Sequence, residues 1–168
     1  MKTRIIYFAS LLMVIMTMTS CFNFSSGPKP SKNKITKKYS IESFNKIENK
    51  APASIVFTQG EATTVEAYGP DNYISHLVVT ADNGTLSIGV DEEKYKNFKN
   101  SKIVISITSP ELCSIKQRGV GSITLKDSVK VGDLSIQAEG VGSIESDALI
   151  ANSINVSQEG VGSINLRG

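Results

Sequence analysis

Cysteine and histidine are scarce in this chain, long apolar runs are lacking, and the folded part has no basic excess. Each of these excludes a class of function. The only cysteines are Cys21 and Cys113, which differ too much in setting to form an internal disulfide or a metal site. The only histidine is His76, beside Ser75 and ahead of a strand pattern, and it reads as a surface residue rather than a general base. Ile5 to Met18 is the longest apolar run, and its 14 residues cannot cross a hydrocarbon core of about 30 Å as a helix. The formal charge of +2 belongs to the front of the chain. Without residues 1–20 the chain loses Lys2 and Arg4 and no acid, leaving 16 basic against 16 acidic residues. Five lysines between residues 22 and 38 account for much of that remainder, so the part from Tyr39 onward carries 11 against 16, near −5. That balance argues against a nucleic-acid partner. Paired carboxylates at a fixed separation, which glycosidic chemistry requires, are not evident either. No catalytic, cofactor-binding or metal-binding residue is therefore nominated.

The front end speaks about location. Lys2 and Arg4 precede the apolar run, which ends in Met18-Thr19-Ser20-Cys21. This is the layout of a secretory signal, and its end resembles a bacterial lipobox, in which small residues precede a cysteine that takes a lipid. Met18 departs from the commoner leucine. Ordinary signal cleavage and a retained apolar anchor are the competing readings. Residues 1–21 are thus assigned as a lipoprotein signal with Cys21 as the lipidation (palmitate) site, and the membrane becomes a partner through that anchor. Residues 22–38 hold Ser25-Ser26-Gly27-Pro28, Pro30 and Lys29, Lys32, Lys34, Lys37 and Lys38. The segment reads as a flexible basic tether with a reach of about 20–25 Å. Its lysines suit anionic headgroups, although a plain soluble spacer is the simpler reading.

The body of the chain repeats. Gly119-Val120-Gly121-Ser122-Ile123 recurs as Gly140-Val141-Gly142-Ser143-Ile144 and as Gly160-Val161-Gly162-Ser163-Ile164, with offsets of 21 and 20 residues. Cys113-Ser114-Ile115, Leu134-Ser135-Ile136 and Ile154-Asn155-Val156 share that register, each alternating apolar, polar, apolar as a one-sided strand does. The period fits one rung of a parallel β-helix-like β-solenoid: strand, glycine corner, strand. Gly119, Gly121, Gly140, Gly142, Gly160 and Gly162 are the structural corner glycines, required where φ is positive or where stacked backbones approach closely. Cys113 joins an inward column with Leu134 and Ile154. The Val120, Val141, Val161 and Ile123, Ile144, Ile164 sets form further core columns. Ser122, Ser143 and Ser163 form a hydroxyl ladder that satisfies corner hydrogen bonds. Arg118, Glu139 and Glu159 share an exposed column, with Arg118 and Glu139 placed to pair and Glu139 over Glu159 open to a weakly held cation.

Before the repeats the chain is also β, but less regular. Strands are expected at Ser54 to Thr58, Thr63 to Tyr68, Leu77 to Ala81, Thr85 to Val90 and Lys102 to Ser109. Gly69-Pro70-Asp71-Asn72 and Asp82-Asn83-Gly84 make turns, and Pro110 makes a stop. Asp91 to Asn100 reads as a charged loop or short helix. These strands are expected to form a meander grading into the solenoid.

The order of motifs resembles the putative auto-transporter adhesin, head GIN domain family of Bacteroidetes envelope proteins. The matching stretches are Phe44-Asn45-Lys46-Ile47, Ala53 to Gly60, Leu86-Ser87-Ile88, Val104 to Leu112 and the Gly-x-Gly-Ser-Ile repeats, over about residues 39–168. The resemblance implies an all-β, β-helix-like fold, export, frequent lipidation and an adhesin or surface-structural role, and it brings no catalytic residues. The expected function is a non-enzymatic envelope lipoprotein whose solenoid serves adhesion or scaffolding, with glycan or envelope protein as partner. The alternatives are a carbohydrate-active β-helix enzyme and an envelope assembly or stress factor. The expected location is the outer membrane. Phe22-Asn23-Phe24 lacks the acidic run that marks surface export, which favours the periplasmic face. The third repeat stops at Gly168 without a capping rung, so a truncated family member or self-association through the last rung is expected.

Overall fold

The computed structural model describes residues 29–91 and 102–168. The signal segment, Cys21, residues 22–28 of the tether and most of the expected Asp91–Asn100 loop lie outside the described residues. Alternating burial runs through nearly every strand. β1 (Lys34–Tyr39), β2 (Lys46–Asn49), β3 (Ser54–Gln59) and β4 (Thr64–Pro70) lead to a four-residue helix α1 (Asp71–Ile74). Then come β5 (Leu77–Asp82), β6 (Thr85–Val90), β7 (Val104–Ser109), β8 (Ser114–Gln117), β9 (Ile123–Ala138), β10 (Val141–Gln158) and β11 (Val161–Leu166).

Two parallel ladders share the work. In the first, β6, β2, β8, the second half of β9 and the second half of β10 stack in that order. In the second, β7, β3, the first half of β9, the first half of β10 and β11 stack likewise. The repeat period is the pairing register: Ile144 faces Ile123, and Val161 faces Val141. Antiparallel strands finish the ends, with β5 on β6, β4 on β7 and β1 on β4. The all-β class holds, and the eleven-stranded sheet is nearly closed and barrel-like.

The strands before the repeats are not a separate meander. β2 lies between β6 and β8, and β3 between β7 and β9. Asn49 aligns with Gln117 and Ile55 with Ile123, so Lys50-Ala51-Pro52-Ala53-Ser54-Ile55 is a further corner in register with Arg118-Gly119-Val120-Gly121-Ser122-Ile123. The core fills the space between the ladders. Ile47, Leu86, Ile115 and Ile136 from the first meet Ile55, Phe57, Ile105, Ile107, Ile123, Leu125 and Ile144 from the second, all essentially buried. The β5–β6 hairpin turns on Asn83 (φ 49°) and Gly84 (φ 73°), the two left-handed residues of a type I′ turn.

The tether requires correction. Lys34–Tyr39 is an edge strand, and residues 29–33 are tied to α1: Ser31 N donates to Asn72 Oδ1 at 2.9 Å, and Asn33 Nδ2 to Asp71 Oδ2 at 2.9 Å. Asn33 and Ser31 hold the Asp71 carboxyl below the usual range. Ile35 and Tyr39 face the core while the lysines between them guard the edge. Including Lys29, Lys32, Lys34, Lys37 and Lys38 moves the folded part from near −5 to near 0. The Gly69–Asn72 turn is instead the end of β4 and the start of α1.

Candidate interaction surface

The glycine corners are built in two different ways. The second glycine of each has positive φ: Gly121 at 135°, Gly142 at 145° and Gly162 at 150°. The first of each, Gly119, Gly140 and Gly160, does not, so positive φ at Gly140 is ruled out. These positions need glycine for space. A Cβ on Gly140 would sit on the carbonyl oxygen of Gly119, and one on Gly160 would sit on that of Gly140. Ala51 and Ala53 occupy the same two positions in the corner between β2 and β3. Both alanines are fully buried there.

The serine ladder does not satisfy the corners. Ser143 Oγ donates to Glu145 Oε1 at 2.7 Å, and Asn165 Nδ2 donates to Ser163 Oγ at 3.2 Å, both along one outer face. The corners are instead braced by an amide column that sequence reasoning missed. Gln117 Nε2 donates to Gly121 O at 3.1 Å, Gln158 Nε2 to Gly162 O at 2.8 Å and Asn49 Nδ2 to Ala53 O at 3.4 Å. Asn49 Nδ2 also reaches Gln117 Oε1 at 2.9 Å, linking two rungs in the buried interior. The signal was an amide four residues before the corner's last carbonyl, interrupted by Ala138 in the same register.

Corrections follow for the apolar columns. Val120, Val141 and Val161 are exposed at 57%, 49% and 73%, because the corner turns the side chain between its two glycines outward. Ile123 and Ile144 are buried as expected, and Ile164 packs partly buried against the core. Cys113 does align with Leu134 and Ile154, but it is only half-buried and lines a surface cavity of ≈ 290 Å³ with Leu112, Lys130 and Asp133. Ile154 is exposed.

The charged column is a network. Arg118 donates from Nε to Glu139 Oε2 at 2.9 Å and from NH1 to Glu48 Oε1 at 3.0 Å. Lys116 holds Glu139 Oε1 at 2.8 Å, and Lys50 holds Glu48 Oε2 at 3.0 Å. Lys116 and then Arg118 lower the Glu139 pKa from the ordinary carboxylate value. With both carboxylate oxygens engaged, Glu139 is a partner for cationic side chains rather than for a metal. Among the described residues no group of three or more His, Cys, Asp or Glu is placed to hold a metal ion.

The broadest ordered feature is the outward face of the second ladder with β4 and β1. One row crosses seven strands, Lys38, Glu66, Ser106, Val56, Thr124, Glu145 and Asn165, each paired with the next. At the strand spacing it spans about 29 Å. A second row sets Thr64, Thr108, Thr58 and Lys126 side by side. Lys38 Nζ meets Glu66 Oε1 at 2.9 Å, and Lys34 lies 5.7 Å over the Tyr68 ring. The face presents hydroxyl, carboxamide and carboxylate groups with Lys38 and Val56 among them, able to hydrogen-bond along its length, and at its far end Glu145 and Asn165 line a cavity of ≈ 360 Å³ with Asp147 and Arg167.

The family model of the putative auto-transporter adhesin, head GIN domain matches residues 43–168. The chain belongs to that family. A crystal structure of a putative adhesin from Bacteroides fragilis NCTC 9343 is similar at 35% identity and TM-score 0.76, over 82% of this chain and 64% of that one. Two from Parabacteroides distasonis ATCC 8503 share the fold. One, described as a putative lipid binding protein, is 21% identical with TM-score 0.58, over 83% of this chain and 65% of that one. The other, a putative adhesin, is 20% identical with TM-score 0.61, over 83% and 67%. This head GIN domain chain thus spans slightly under two-thirds of the first two structures it matches. No curated protein sequence matches it. Among the described residues no helix is long and apolar enough to cross a membrane.

Proposed function

We propose that this head GIN domain protein is a non-enzymatic envelope lipoprotein that presents the outward face of its second ladder for adhesion or scaffolding. The observation that carries this is the seven-strand row from Lys38 to Asn165. It is long and largely polar, which suits an extended hydroxyl-rich partner such as a glycan chain, or the strand of an envelope protein. The parallel ladders at 20- and 21-residue offsets read as a short β-solenoid, capped on one side by β1, β4 and β5. In this reading the solenoid is the display scaffold, and the lipid on Cys21 keeps it at the outer membrane, on the periplasmic face.

The test uses the full chain. Lipidated protein is immobilised and exposed separately to the glycan and protein fractions of the envelope. The wild type retains glycan, and Val56→Arg with Thr124→Arg, which places two bulky cations in the middle of the row, abolishes retention while leaving the far-ultraviolet spectrum unchanged. Equal retention by the variant removes this face from the function. Cys21→Ser moves the protein from membrane to soluble fractions; continued full membrane partitioning refutes the anchor.

A further inference from the structure

Away from the glycine corners, the turn from β7 to β8 and the bend in the middle of β9 carry the chain from the second ladder back to the first, and a groove lies along them. Two surface cavities share Pro110 and Glu111 there. One, of ≈ 380 Å³, adds Ser43, Asn45 and Gly84, and the other, of ≈ 290 Å³, adds Lys130, Gly132 and Asp133. The groove runs beside four stacked levels of the first ladder, those of Thr85, Lys46, Ser114 and Ser135, about 14 Å at the strand spacing. Strands stack beyond it on both sides, β5 on β6 and β10 on β9, so its walls belong to the interior of the ladder.

Those walls are fixed by the protein's own hydrogen bonds. Gln59 Nε2 donates to Pro110 O at 2.9 Å and to Lys130 O at 2.8 Å, and Lys130 N donates back to Gln59 Oε1 at 2.8 Å. Ser109 Oγ donates to Phe44 O at 2.9 Å, and Cys113 N to Asn45 O at 2.8 Å. Ser153 Oγ orients Asp133 by donating to its Oδ1 at 2.6 Å. A groove built in advance spends little ordering entropy on a ligand. Buried Leu112 and half-buried Val131 supply apolar surface beside the Pro110 ring, and Glu111, Lys130 and Asp133 are exposed polar groups around it. Apolar surface with a few placed polar groups is the usual form of a small-ligand site. A hexose ring divides in the same way, with C–H groups on its faces and hydroxyls around its edge. Among the described lining residues two carboxylates stand against one ammonium, which disfavours an acidic sugar. Thr58 immediately precedes Gln59, and its neighbour Thr108 stands two residues before Pro110, so the threonine row of the outward face leads into the groove.

We propose that this groove binds the end of a neutral glycan, a short run of uncharged hexose units whose hydroxyls donate to Glu111 and Asp133 and accept from Lys130. The proposal rests on the glycan reading of the outward face for its class of ligand, and adds a site that selects neutral sugar over acidic. The full lipidated chain in detergent is titrated with labelled gluco-, manno- and chitohexaose and with hexagalacturonate. At least one neutral hexaose binds, and hexagalacturonate binds more weakly by about tenfold or more. Glu111→Gln weakens the neutral hexaose about tenfold, as loss of a hydrogen bond to a charged group does. Gly132 has no positive φ, and a Cβ there would meet no atom nearer than Asn152 Nδ2 at 4.0 Å, so Gly132→Leu fills the groove without straining the fold and abolishes binding. Bound hexaose also slows labelling of Cys113, which lines the groove, by a small thiol reagent. Val56→Arg with Thr124→Arg separates this site from the face: loss of hexaose in Glu111→Gln and Gly132→Leu alone keeps the groove and removes the face, whereas loss in the face variant alone removes the groove. Cys113 labelling unchanged by saturating hexaose, a preference for hexagalacturonate, or no neutral hexaose bound at millimolar concentration overturns the proposal.

Discussion

The corner glycines allow steric crowding to be separated from backbone strain at neighbouring positions of one motif. Gly142 has φ 145°, and a Cβ there would also overlap the carbonyl oxygen of Gly121. Gly140 shows the same overlap, with Gly119 O, but has no positive φ. Gly132 has neither feature; the nearest atom to its Cβ would be Asn152 Nδ2 at 4.0 Å. Forcing a left-handed conformation on a non-glycine residue costs about 1–3 kcal/mol, and overpacking against a fixed backbone adds about 1–3 kcal/mol. Gly142→Ala therefore costs about 2–6 kcal/mol and Gly140→Ala about 1–3 kcal/mol. Gly132→Ala stays within about 0.5 kcal/mol of the wild type, as is usual for surface changes. The neighbouring rung cannot relax cheaply, because Val141 N donates to Gly119 O at 3.0 Å and Gly121 N to Val141 O at 2.9 Å, so moving one corner breaks bonds of the next. Urea unfolding of the three variants at equal m-value measures the order directly. For a folded part of this size each kcal/mol lowers Tm by roughly 3–5 °C. If Gly140→Ala and Gly142→Ala are equally costly, strain contributes nothing. If neither differs from Gly132→Ala, the corners are not closely stacked and the reasoning fails.

Glu139→Gln tests the ionic network. Lys116 and Arg118 lower the carboxyl pKa, so the stabilisation of the wild type over the variant is full at neutral pH. The gap in thermal midpoint closes as the pH falls below the ordinary carboxylate range and through the lowered pKa, and it shrinks in high salt; a gap independent of both excludes charge as its cause. Gln117→Ala strips the buried Asn49 amide of its 2.9 Å partner and the corner of its brace, a loss of about 1–3 kcal/mol in urea unfolding, and an unchanged midpoint dismisses the amide column. Cys113, half-buried at the rim of a cavity, reacts with a small thiol reagent in the native protein more slowly than in urea but to completion; protection lasting until global unfolding would place it in the core.

Which features were legible in the sequence depended on whether they repeat. Identical pentapeptides 20 and 21 residues apart gave the register correctly, since parallel stacking places like residue over like residue. The alternation at Thr85–Val90 with Asn83-Gly84 ahead of it gave a hairpin, because that dipeptide supplies both left-handed residues a two-residue turn needs. The corner at Ala51-Pro52-Ala53-Ser54-Ile55 escaped notice because it has lost the glycines that mark the others. The outward valines were misread because their apolar character was weighed above their parity: counting by twos from Ile115 to Ile123, or from Ile136 to Ile144, already puts Val120 and Val141 on the outer face. β1 was read as part of a tether because its lysines resemble those of a flexible segment. The same lysines on an otherwise apolar alternation, Ile35 and Tyr39, are how a sheet keeps an edge from pairing further. The contrast between the lysine-rich β1 and the uncharged β11 was visible in composition alone. It became informative only once pairing had shown that the two strands lie at opposite ends of the second ladder.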